Sequence, residues 1–157
     1  VDVNTLLEAT TRLVKNEVHK HAEIVLELGN DLAKFTGNSQ KIEQIFINLI
    51  VNAAQAIPDD KKGLITVRTY MDQSNIVVIE IEDNGKGMDE KTQRQIFDPF
   101  FTTKRAKGGT GLGLAIAFRI AEEHSGNISV SSIPGAGTKF TVRIPTDDDA
   151  AVEKVSN

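Results

Sequence analysis

The sequence predicts an α/β (α+β) two-layer sandwich: a mixed, mostly antiparallel sheet of about five strands covered by about three helices. Three observations carry this reading. Two pairs of short β-branched segments read as hairpins, and three stretches carry apolar residues at helical spacing. The 157 residues, 39% of them hydrophobic, suffice for one core. The expected boundaries are a folded domain over residues 1–145 and an acidic, frayed tail over 146–157.

Residues 4–21 place Leu6, Leu7, Leu13, Val14 and Val18 on one helical face with charges between them, and a short strand over 24–28 follows. Asn38 or Ser39 is positioned to cap the central helix, whose stripe of Ile42, Ile45, Phe46, Leu49, Ile50 and Ala53 stops near Pro58. Residues 63–70 and 76–82 form the first predicted hairpin. Asp89 heads a helix over 90–96, and the lysine-rich stretch 102–108 reads as an unpacked, mobile loop. A helix over 112–124 ends before Gly126, and strands at 128–133 and 140–144 flank the turn Pro134-Gly135-Ala136-Gly137.

Composition narrows the function. A net charge of −4 leaves no basic face for a nucleic-acid backbone, so phosphate recognition has to be local. The absence of cysteine removes disulfides and thiolate chemistry and suits a reducing, cytoplasmic setting. No apolar run reaches the roughly 18 residues of a membrane span. Starting at Val1 without a signal pattern, the chain reads as a fragment of a longer protein.

Chemistry concentrates in a few segments. Gly109-Thr110-Gly111-Leu112-Gly113-Leu114 leaves backbone N–H groups unobstructed where a helix begins, which favours phosphate; a flexible linker is the lesser reading. In the strand ending at Asp83, alternation puts this carboxylate on the face of Val77, Ile79 and Ile81, where the amine of adenine would be a fitting donor. Taken alone, Asp83-Asn84-Gly85 reads first as a turn that merely ends a strand. Asn48 and Asn52 lie four apart on the central helix; taken alone they read first as a hydrogen-bonded surface pair, and they also suit the shell of a Mg2+ that draws its other ligands from phosphates. Phe97, Phe100 and Phe101 precede Thr102-Thr103-Lys104 as an aromatic anchor for a lid, with Lys104, Arg105 and Lys107 either meeting the terminal phosphate or simply solvated. Thr138 begins the last strand, near the base or as part of an ordinary hairpin turn. His19 and His21 read as a solvated helix-end pair and His124 as a helix C-terminal cation.

In this order, the segments resemble the ATP-binding catalytic domain of bacterial sensor histidine kinases, within the Bergerat-fold superfamily. Asn48 to Ala53 matches the asparagine box and Asp83 to Met88 the first glycine box. Phe97 to Phe101 matches the phenylalanine box, Gly109 to Leu114 the second glycine box, and Gly135 to Thr138 a trailing one. Phe100-Phe101-Thr102-Thr103-Lys104 looks like the nitrogen-regulation branch. The resemblance implies the Bergerat ATP-binding fold and the cofactors ATP and Mg2+. Asp83 would bind the adenine amine, Asn52 would hold the metal, and Asn48 and Lys104 would be the catalytic pair. Gly85, Gly87, Met88, Phe97, Thr102, Thr103, Gly109, Thr110, Gly111, Leu112, Gly113 and Thr138 would line the nucleotide. Its implied partners are a histidine-bearing dimerisation domain and a response regulator.

Two departures stand out. Gln55 occupies a position where many relatives carry Lys or Arg, and the lid offers Lys104 where many carry Arg. None of His19-Lys20, His21-Ala22 or His124-Ser125 fits the family's phosphoacceptor pattern, so the acceptor is expected elsewhere. Hydrolytic relatives carry a Glu at the position of Asn48 to activate water, and an amide is no general base. Phosphoryl transfer to a protein histidine therefore ranks ahead of an ATPase module, and that ahead of a non-catalytic nucleotide-binding module.

Overall fold

In the computed structural model, which describes residues 1–98 and 113–146, the chain opens with α1 (Val3–Val18), capped by the Asp2 carboxylate on Thr5 N–H at 3.2 Å. The helix is shorter than the apolar spacing suggests. His21 is drawn out of it because its carbonyl accepts Gly63 N–H at 2.9 Å, which starts β1 (Ala22–Leu28) two residues early. Asn38 caps α2 (Ser39–Gln55), its Oδ1 accepting Lys41 N–H at 3.1 Å. The predicted stripe is buried in full, since Ile42, Ile45, Phe46, Leu49, Ile50 and Ala53 all face the sheet side. Each of the buried Ile, Leu and Phe side chains contributes roughly 1.5–3 kcal/mol.

β2 (Gly63–Met71) and β3 (Ile76–Asp83) form the first hairpin, and α3 (Glu90–Gln95) starts at Asp89, whose Oδ1 takes Thr92 N–H at 2.7 Å. α4 (Gly113–Glu123) leads to the second hairpin, β4 (Asn127–Ile133) and β5 (Gly137–Pro145). The end of α4 closes with Gly126 N–H on Ala121 O and Ser125 N–H on Glu122 O, so Ser125, at φ 62°, takes the left-handed position ahead of Gly126.

The sheet order is β1-β2-β3-β5-β4, with β1 parallel to β2 across the α2 crossover and every other pair antiparallel. One face carries Ile65, Val67, Val77, Ile79, Ile81, Phe140, Val142 and Ile144, all buried under α1, α2 and α4. The other face is polar. There Arg68 bonds Glu82 at 2.9 Å and Glu27 at 3.2 Å, contacts that raise its pKa, chiefly through Glu82. Thr146, expected in the tail, belongs to the packed body: it is buried, and its hydroxyl donates to Asn75 O at 2.7 Å. No described helix is long and apolar enough to cross a membrane.

Candidate functional site

Alternation along β3 brings Asp83 to the helix-covered face, where it is 4% exposed and flanked in register by Ile65 and Thr138. The inward carboxylate predicted from the sequence is therefore present, and Oδ1 accepts Gly85 N–H at 2.8 Å. A carboxylate this buried requires hydrogen-bond donors, which makes the surrounding loop part of the site. Thr138 is buried beside it, its hydroxyl 2.7 Å from Ser132 Oγ. Ser132 also accepts Met88 N–H at 2.8 Å and donates to Gly137 O at 3.0 Å. Gln93 Nε2 donates to Met88 O at 3.0 Å and Ser132 O at 3.1 Å, so Met88 is held through both of its peptide groups.

Gly87 and Gly137, at φ 68° and 135°, are each required by the packing of the protein itself. A Cβ on Gly87 would lie 2.1 Å from Ile133 O, and one on Gly137 2.0 Å from Asp83 O. The β4–β5 turn thus rests directly on the segment after Asp83, with Gly135 N–H donating to Lys86 O at 2.7 Å. Ser132 and Gln93 were not found from the sequence. Ser132 had a signal, a hydroxyl on the face of β4 that otherwise carries Ile128 and Val130; Gln93 had none.

The second half of the site is one face of α2. Asn48, Asn52 and Ala56 recur every four residues and project on the same side. At one end Asn48 Nδ2 donates to Gly113 O at 2.9 Å, while its Oδ1 accepts from Gln44 Nε2 at 2.6 Å. At the other, the carbonyl of Ala56, the C-cap, accepts Lys86 N–H at 3.0 Å. Asn52, half-buried, lies between them, and eight residues of helix make the strip about 12 Å long. Asn48 therefore ties the glycine-flanked helix to α2, a use that spacing did not reveal, and Gln44 joins it as a residue not singled out in the sequence.

Phe97 stacks on Phe118 at 5.1 Å between ring centroids and meets Phe140 edge-on at 6.3 Å. Its ring thus packs between α4 and β5. Phe100, Phe101, Thr102, Thr103, Lys104, Arg105, Lys107, Gly109, Thr110, Gly111 and Leu112 lie outside the described residues, and with them the lid and the nitrogen-regulation signature. His124, at the C-terminal end of α4, is engaged by two backbone groups. Its Nε2 accepts Asn38 N–H at 3.1 Å, and its Nδ1 donates to Ile120 O at 2.8 Å. Among the described residues, no group of three or more His, Cys, Asp or Glu side chains is arranged to hold a metal ion.

An open-faced sandwich with a buried carboxylate on one strand and a helix starting from glycine across the central helix belongs to the nucleotide-binding class. Residues 37–148 match the family described as histidine kinase-, DNA gyrase B-, and HSP90-like ATPase, and the chain belongs to that family. The signal transduction histidine-protein kinase AtoS of Escherichia coli (strain K12) is 41% identical over 146 residues, which cover 92% of this chain and 23% of AtoS. The catalytic domain of the histidine kinase ThkA superposes with a TM-score of 0.81 at 29% identity, covering 95% of this chain and 96% of that one. Full-length ShkA in complex with AMPPNP gives a TM-score of 0.81 at 26% identity, covering 92% of this chain and 30% of ShkA.

Proposed function

We propose that this chain binds Mg-ATP and donates the γ-phosphoryl group to a histidine on a separate dimerisation and phosphoacceptor domain, feeding a response regulator in two-component signalling. The observation that carries this is the strip on α2, bounded by Gly113 at one end and by the Asp83–Met88 segment at the other. Residues 1–145 would be the catalytic unit, working in the cytoplasm. Asp83 would accept from the adenine amine, with Thr138 beside it and the Met88 segment held by Ser132. The γ-phosphoryl group would lie towards Asn48 and Gly113, where Lys104 is the candidate cation. Kinship with sensor kinases, and AMPPNP in the ShkA complex, support the nucleotide and the transfer.

The donor set fits Mg2+ in one specific way. Likeness to the asparagine box assigns the metal to Asn52, which sits half-buried between Asn48 and Ala56 on the same face of α2. With no acidic cluster among the described residues, most ligands would be phosphate oxygens and water, as Mg2+ favours. When bound, the ion would neutralise charge on the transferring group. The chain's own residues orient the substrate: Asn48 fixes the glycine-flanked helix and Asp83 the base. Because an amide stands where a hydrolytic relative carries Glu, water lacks a base to activate it, and the reaction depends on a nucleophile delivered from another domain.

The test is to mix the chain with a histidine-bearing hairpin domain and γ-labelled ATP, then follow protein-bound against free phosphate. Label on the hairpin is expected, and rapid free phosphate without labelled protein would reverse the assignment in favour of an ATPase.

A further inference from the structure

We infer that His124 is a positioning residue for the phosphate end of the site: wedged between Phe35 and Gly37, its ring holds the N-cap of α2 and so sets α4 where Gly113 meets Asn48. The two helices run antiparallel, because Lys41 meets Glu123 while Asn48, a later residue of α2, meets Gly113, the first of α4. α4 is eleven residues long, a rigid rod of about 16 Å, and two ties at its ends fix its slide and rotation along α2.

The near tie is Asn48 to Gly113, and His124 makes the far one. The lone pair on Nε2 faces Asn38 N–H at 3.1 Å because Nδ1 carries the ring proton towards Ile120 O at 2.8 Å. Asn38 in turn caps Lys41 N–H, so the ring grips the residue that starts α2. Phe35 meets the ring edge-on, with centroids 6.2 Å apart and planes at 77°. A Cβ on Gly37 would lie 2.5 Å from His124 Cδ2, so that glycine is what lets the ring reach Asn38. The neighbouring Lys41–Glu123 pair, at 2.9 Å with side chains 50% and 42% exposed, is solvated and holds the helix weakly.

Asp83 and Thr138 lie on β3 and β5, outside this brace. Loosening His124 should therefore disturb phosphates and transfer while sparing the base. The inference rests on the reading of Asn48 and Asn52 as the phosphate end. It is tested by titrating the chain with adenosine and with ADP, each with and without Mg2+, and by timing transfer to a histidine-bearing hairpin domain.

His124→Ala and His124→Phe are expected to lower the Mg2+-dependent gain in ADP affinity and the transfer rate about fivefold, with adenosine affinity within about twofold of wild type. His124→Gln keeps an acceptor for Asn38 N–H and is expected to recover most of both. Gly37→Ala displaces the ring without changing it and is expected to reproduce the alanine pattern. His124→Phe at wild-type level, His124→Gln no better than His124→Ala, or adenosine affinity falling in parallel would each overturn the proposal. Asn52→Ala, run alongside, separates the two layers. If it leaves Mg2+ dependence intact, the phosphate-end reading is what failed; if it abolishes that dependence while the His124 variants do not, the brace is what failed.

Discussion

At Asp83 the site is closed by backbone against backbone, with Gly87 under Ile133 and Gly137 under Asp83, whereas at Asn48 two helices are joined by single side chains. The first end leaves no room for a methyl group. The second can shift if one amide or one imidazole is lost. On the proposed reading, this contrast means that base recognition would be preformed by the sheet and its turns, while the phosphate end would be set by the relative placement of α2 and α4. Substitutions at the two ends should then have separable consequences.

The sharpest break is Gly137→Ala. The residue sits at φ 135° and its Cβ would collide with Asp83 O, so about 2–4 kcal/mol of stability and most adenosine binding should be lost together, as read by denaturant unfolding and titration. At the other end, Asn52→Ala should lower ADP affinity in Mg2+ about tenfold and leave adenosine binding unchanged. A joint loss of adenosine binding would erase the distinction between the ends.

Ser132→Ala tests whether the hydroxyl between Met88 and Thr138 belongs to the base end. About 1 kcal/mol of stability and a severalfold loss of adenosine affinity are expected, with the Mg2+ increment preserved. The smallest effect concerns Asp89, the N-cap of α3. Thr92 N–H, the leading cause, holds its carboxyl below the usual aspartate value. A depressed folded-state pKa means that the α3 cap is fully present above the unfolded aspartate value and lost as pH falls through the depressed one. An NMR titration of the Asp89 carboxyl should show that lowered midpoint, and Thr92→Pro, which removes the donor, should return it towards the ordinary value.

Much of the base end was legible in the sequence because its signals are local. Alternation along β3 turns Asp83 inward, Asp89 announces its helix, and the glycines at 135 and 137 mark a turn. The phosphate end was less legible because its ties are long-range. Asn48 and Gly113 are 65 residues apart and Asn38 and His124 are 86 apart, and no periodicity links such pairs. The same limit hid the parallel pairing of β1 with β2 and the insertion of β5 between β3 and β4. That Ile133 reaches Gly87 was not legible either, since it comes from another hairpin.

The central claim is that a buried carboxylate on β3 recognises the purine. Adenosine, which has no phosphate, isolates that contact, so calorimetric titration of wild type and Asp83→Ala with adenosine tests it most directly, with unfolding midpoints confirming that both are folded. The account predicts a loss of about a hundredfold or more in the variant. Equal affinity in the two folded proteins would contradict it.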